Sequence, residues 1–106
     1  MKTDFIIVHI CCVSRKEALA IAGYLLNKKL IACANILPGI YSMFWWKGRI
    51  EKANEVLLIV KTHVKNFMKI EKEVKRLHSY DVPEIIALPL AAGSKDYLNW
   101  IKDSIK

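Results

Sequence analysis

Between Asp4 and Val13 nearly every position is apolar, β-branched residues dominate, and only His9 interrupts the run. Continuous apolar character over this length predicts a strand buried on both faces. Ser14-Arg15-Lys16-Glu17 then has the spacing of a capping box, with serine opening a helix and glutamate closing its first turn. Ala18, Ile21, Ala22, Leu25 and Leu26 recur at helical intervals, so the first helix is amphipathic and reaches Asn27-Lys28-Lys29, placing lysines at its negative end.

From Leu30 to Thr62, two strand-like stretches flank Trp46-Lys47-Gly48-Arg49, a glycine-containing reversal that predicts a long hairpin. Pro38-Gly39 interrupts the first arm and predicts a bulge or bend that carries Tyr41 to Trp46 away from the body of the sheet. Val64, Phe67, Ile70, Val74 and Leu77 repeat at helical spacing, giving a second helix to about His78, where Ser79-Tyr80-Asp81 turns the chain. Ile85 to Leu90, bracketed by Pro83 and Pro89, reads as the last core strand. Gly93-Ser94 then precedes Tyr97, Leu98, Trp100 and Ile101, a short C-terminal helix with Ser94 as its cap. This order predicts an α+β fold, a ferredoxin-like βαββαβ domain with a long central hairpin and a C-terminal helix. No repeat or linker divides residues 1–106, so a single domain is expected.

Composition adds a partner to this picture. Hydrophobic residues make up 54% of the chain, more than in an average soluble domain, which suggests an apolar surface reserved for contact. Tyr41, Phe44, Trp45 and Trp46 on a projecting arm are hard to bury within one small subunit and read as an intersubunit anchor. No apolar run reaches the ~18 residues of a membrane helix and no signal-peptide pattern opens the chain, so no membrane partner and a cytoplasmic location are expected. The net charge of +7 would suit an anion. Its densest group, Lys65, Lys69, Lys72, Lys75 and Arg76, is interleaved with Glu71 and Glu73 and reads as a solvated helix face. The stretch Val56 to Val60 offers no aromatic side chain for stacking bases, so no nucleic-acid partner is expected.

Strand alternation puts Phe5, Ile7, His9 and Cys11 on one face and Ile6, Val8, Ile10 and Cys12 on the other. Thiolate and imidazole suit soft or borderline metals, and His9 with Cys11 supplies half of such a site. The competing reading is a hydrogen-bonded core histidine beside an inert thiol. Cys12 and Cys33 show no charged neighbour on their strand faces and are assigned to packing, and the odd count of three cysteines without a CxxC spacing predicts reduced thiols.

The segment Ala32 to Gly39 resembles the one that opens the long hairpin in proteins of the CutA family. Trp45 to Glu51 is similar to that family's hairpin tip, Glu55 to Thr62 to its return strand, His78 to Pro89 to its His-Pro-Tyr…Pro-Glu…Leu-Pro segment, and Asp96 to Ile101 to its closing helix. The resemblance implies a homotrimer of ferredoxin-like subunits that binds copper or another divalent metal ion and acts in metal tolerance. It departs from the family pattern at Ser79, where proline is usual, at Leu77, where some members carry a second histidine, and in a first loop one residue shorter.

The implied metal ligands are Cys11, helped by His78 through the resemblance and by His9 through strand geometry, with His63 also available. Lys61, His78, Tyr80 and Glu84 stand in matched positions at element ends, where a cleft between subunits would collect them for ligand binding. No nucleophile is visibly paired with a base, so binding rather than catalysis is expected. The alternative reading is a small-molecule sensor resembling PII-type signal proteins, although the chain has no glycine-rich phosphate cradle.

Overall fold

The computed structural model describes residues 3–106. Strands β1 (Phe5–Cys12), β2 (Cys33–Trp46), β3 (Arg49–His63) and β4 (Ile85–Pro89) form one antiparallel sheet in the order β2-β3-β1-β4. Helix α1 (Arg15–Asn27) joins β1 to β2, and α2 (Phe67–Leu77) joins β3 to β4. Helix α3 (Lys95–Ser104) closes the chain, and the whole is the ferredoxin-like arrangement expected from the sequence.

Alternation along β1 builds the core. Ile6, Val8, Ile10 and Cys12 are buried and meet Leu58 and Val60 of β3 together with Ile21 and Leu25 of α1 and Ile70 and Val74 of α2. The other face of β1 is only half-buried, and its neighbours Ile86 and Leu88 on β4 are exposed. The expected two-sided burial of β1 is therefore not reached within one chain, because both crossover helices lie on the same side. We call the uncovered side the open face. Helix α3 approaches it at Lys61, whose ammonium lies 3.4 Å from the Tyr97 hydroxyl, and buries its own Ile101.

Local chemistry sets the element ends. Ser14 caps α1 by accepting the Glu17 N–H at 3.1 Å, as the capping box requires. At the far end Lys29 adopts φ 57° while Leu30 N–H bonds to the Leu25 carbonyl and Lys29 N–H to that of Leu26, the Schellman pattern. A turn of 3₁₀ helix, Val64–Asn66, precedes α2, so the regular helix starts later than its apolar repeat. Asn66 is buried there, and its amide donates to Leu30 O and Thr62 Oγ1.

The hairpin turn has Lys47 at φ 50° and Gly48 at φ 78°, the two left-handed residues of a type I′ loop. Gly39, at φ 79°, lies where the β2 register slips between Leu37 and Ile40, which is the expected bulge. Beyond it Ile40 to Trp46 pair only with Arg49 to Glu55, while β1 pairs with β3 from Val56 onward. The distal hairpin is thus a two-stranded arm that leaves the four-stranded sheet behind. Tyr41, Met43 and Trp45 are all exposed along it.

Leu58 is fully buried where sheet and helices meet. Leu58→Ala should lower unfolding stability by about 2–5 kcal/mol in urea titration, the cost of a cavity in a core that relaxes only partly.

Candidate functional site

Where the arm leaves the sheet, the open face meets the loop between α2 and β4 and forms a groove of about 910 Å³. Cys11, Glu55, Tyr80 and Glu84 line its floor, and Phe44 and Trp46 stand along its hairpin wall. Each is there for a simple reason. Cys11 ends β1 on the open-face parity, and Glu55 lies two residues before Leu57, the β3 partner of Cys11. Tyr80 and Glu84 belong to the loop that must turn the chain from α2 into β4.

The Cys11 thiol donates to Glu84 Oε1 at 3.5 Å. Burial pushes this thiol up to about 12, with further contributions from the negative charges of Glu84 and Glu55. Behind it, the Tyr80 hydroxyl donates to Glu55 Oε2 at 2.8 Å, and Glu55 is only 7% exposed. Burial and that hydrogen bond push the Tyr80 phenol to about 12 as well. At neutral pH the groove therefore presents a protonated thiol and phenol to two carboxyl side chains.

A second cluster lies on the helix side of β1. The imidazole of His78 is buried; its Nε2–H donates to the Cys11 carbonyl at 2.6 Å, and its Nδ1 accepts the Tyr80 N–H at 3.0 Å. Glu17 Oε1 accepts the Val13 N–H and Oε2 accepts the Ser79 N–H, each at 3.0 Å. Burial disfavours charge on Glu17, but these hydrogen bonds, with His78 nearby, outweigh it and hold the carboxyl below its ordinary range. The Cys12 thiol completes the group, with ligand atoms of Cys12, Glu17 and His78 all within 4.8 Å of one another.

This trio has the right residue types for a divalent ion, but both nitrogens of its imidazole are already engaged. A neutral imidazole whose Nδ1 accepts a hydrogen bond keeps its proton on Nε2, which leaves no lone pair there for a metal. Cys12 is fully buried, and burial together with the Glu17 charge pushes its thiol to about 12. The cluster is a hydrogen-bonded framework.

Several expectations change accordingly. Cys11 and His78 touch through the Cys11 backbone, with thiol and imidazole on opposite sides of β1, so they do not form the expected ligand pair. His9 shares the open face with Cys11 but faces Ile59 and Ile86 across the sheet. Tyr80 and Glu84 do meet in the groove. Within one chain Lys61 lies apart from them, six residues along β3 from Glu55, about 20 Å away at strand rise, against Tyr97. Cys12 has a charged neighbour after all, in Glu17. Sequence reasoning passed over Glu55 and Glu17. A carboxylate on the parity of Leu57 and Ile59 was the available signal for the first, while the capping-box reading hid the second.

The family described as "CutA1 divalent ion tolerance protein" matches residues 6–104. The chain belongs to the CutA1 family. It is 46% identical over 99 residues to the divalent-cation tolerance protein CutA of Archaeoglobus fulgidus, covering 93% of this chain and 96% of that protein. It is 43% identical over 98 residues to the Thermus thermophilus protein of the same name, covering 92% and 95%. A rice protein, "CutA 1, chloroplastic", is 41% identical over 101 residues, and the chain spans 57% of its length.

CutA1 structures share the fold closely. That of the Archaeoglobus fulgidus protein superposes with a TM-score of 0.93 at 45% identity, covering 96% of this chain and 99% of that one. Rice CutA1 gives 0.94 at 39% identity, covering 99% and 96%. The likeness extends over nearly the whole of each chain.

The raised Cys11 thiol predicts slow alkylation. With the thiol near 12, almost no thiolate exists at pH 8, and the rate with iodoacetamide should climb as pH rises toward that value. Glu84→Gln removes one of the charges that disfavour thiolate and should speed the reaction at fixed pH, measured by mass spectrometry on Cys11.

Proposed function

We propose that this chain forms a homotrimer that binds divalent cations, copper among them, in the Cys11–Glu84 groove, and that it serves metal tolerance in the cytoplasm. The observation that carries the reading is the thiol of Cys11 set against the Glu84 carboxylate, with Glu55 behind Tyr80, in a groove on the uncovered side of the sheet. Sulfur with carboxylate oxygen is a mixed donor set that suits borderline ions such as Cu²⁺ and Zn²⁺ better than Mg²⁺ or Ca²⁺, which prefer oxygen alone. Cys11 and Glu84 would hold the ion, and Glu55 would join them if released from Tyr80. A bound cation supplies the positive charge that lets the thiol ionise, so uptake releases a proton and strengthens as pH rises.

The same groups support a reading of binding rather than catalysis. The thiol has carboxylates for neighbours instead of a free base, and His78 uses both ring nitrogens within the framework. The names of the relatives, divalent-cation tolerance proteins, support a cation as ligand. Assembly is supported by the half-buried open face and by an arm whose Trp45 is 73% exposed, since sheet and aromatics of this kind are covered by partners in stable assemblies.

Light scattering at micromolar concentration should give the mass of a trimer, and a monomer mass would defeat the assembly. Trp45→Ala should weaken the trimer by about 2 kcal/mol or more if the ring anchors a neighbouring copy. Calorimetric titration with Cu²⁺ and Zn²⁺ should show affinity reduced at least about tenfold in Cys11→Ser and in Glu84→Gln, by comparison with the 10–100-fold typical of losing an outer partner of a metal ligand. Unchanged affinity and stoichiometry in Cys11→Ser would remove the groove as the site.

A further inference from the structure

A capping-box glutamate ordinarily turns back to the N–H of the capping residue itself. Glu17 does something else. Its two carboxylate oxygens accept N–H groups from separate stretches of chain: Val13, just beyond the end of β1, and Ser79, at the start of the loop that carries Tyr80 and Glu84. The Glu17 side chain is only 12% exposed, and both bonds are charge-assisted, the stronger class of hydrogen bond. His78 makes a parallel tie, giving its Nε2–H to the Cys11 carbonyl and receiving the Tyr80 N–H at Nδ1. Between them, these two side chains bind both sides of the groove floor from below.

We infer that Glu17 and His78 are positioning residues for the groove, clamping the 78–84 loop to the end of β1 so that Glu84 and Tyr80 are held against Cys11 and Glu55. The inference rests on the groove being the cation site. Neither residue reaches the groove, because they lie on the helix side of β1 and the Cys11 thiol lies on the other. The clamp depends on an N–H at position 79. Ser79 supplies that N–H, and a proline there would have none to give. His78 is extended, with φ −79° and ψ 146°, and such a segment leaving a helix has no ladder of its own to fix its direction. The Glu17 carboxylate fixes it instead.

The test uses the full-length protein, Co²⁺ as a redox-stable divalent probe, and four forms: wild type, Glu17→Gln, Glu71→Gln and Cys11→Ser. Glu71 lies on the outer side of α2 paired with Lys75, so its variant repeats the charge change at a distance. Glu17→Gln should bind Co²⁺ about 10–100-fold more weakly, with a weaker thiolate-to-cobalt absorption band, as expected when the outer partners of a metal ligand are lost. Glu71→Gln should match wild type. In metal-free protein, amide hydrogen exchange over residues 79–84 should quicken in Glu17→Gln alone. Wild-type affinity or unchanged exchange in Glu17→Gln, while Cys11→Ser loses Co²⁺, would overturn the clamp and leave the groove standing. Full binding by Cys11→Ser would overturn the groove and the clamp with it. Should Glu17→Gln fail to fold, Glu17→Asp, too short to reach both amides, takes its place with the same outcomes.

Discussion

A strand in the middle of a sheet has two faces, and this fold supplies one layer of helices. Everything distinctive about the molecule follows from that mismatch at β1. Its Ile6, Val8, Ile10 and Cys12 are sealed beneath α1 and α2, which stabilises the monomer's core. Its other side is left half-buried, with α3 against it at Lys61. On that side Cys11 is half-buried and Glu55 is buried behind Tyr80, both shielded by the sheet and the arm. That intermediate environment raises thiol and phenol and draws polar groups together.

The two sides of β1 also divide the chemistry of one pair of adjacent cysteines. Cys12 faces inward to Glu17 and His78, where every polar atom has a partner and the hydrogen-bond pattern fixes the imidazole tautomer. Cys11 faces outward to Glu84, where a proton is the only thing joining thiol to carboxylate. Residue type alone would favour the inner trio as a ligand set. The occupied imidazole reverses the preference, since an acceptor already taken by a backbone N–H cannot also receive a metal.

Much of the architecture was legible in the sequence because it rests on periods: the apolar repeat of α1 and α2, the Trp46 to Arg49 reversal, the Pro38-Gly39 interruption and the Ser14 and Ser94 caps all appear where local chemistry required them. The candidate site was legible only in part. Tyr80 and Glu84, named from matched positions, do converge on Cys11, named from strand alternation and thiolate chemistry, while Lys61 lies within one chain at the far end of the sheet. His78 was given a ligand's role because spacing along a chain does not reveal on which side of a strand an imidazole arrives. Glu17 satisfied a local motif so well that its long-range partner at Ser79 left no trace in the sequence.

The bulge at Gly39 has an effect on identity as well as on direction. Before it, Leu37 pairs with Leu57; after it, Ile40 pairs with Glu55, so β2 spends three residues where β3 spends two. The odd step exchanges inside for outside along the rest of the arm, turning Ser42, Phe44 and Trp46 to the Glu55 side and Tyr41, Met43 and Trp45 away from it. The bulge at this glycine thus changes which parity of β2 shares a face with Glu55, odd-numbered Cys33, Asn35 and Leu37 before it and even-numbered Ser42, Phe44 and Trp46 after it.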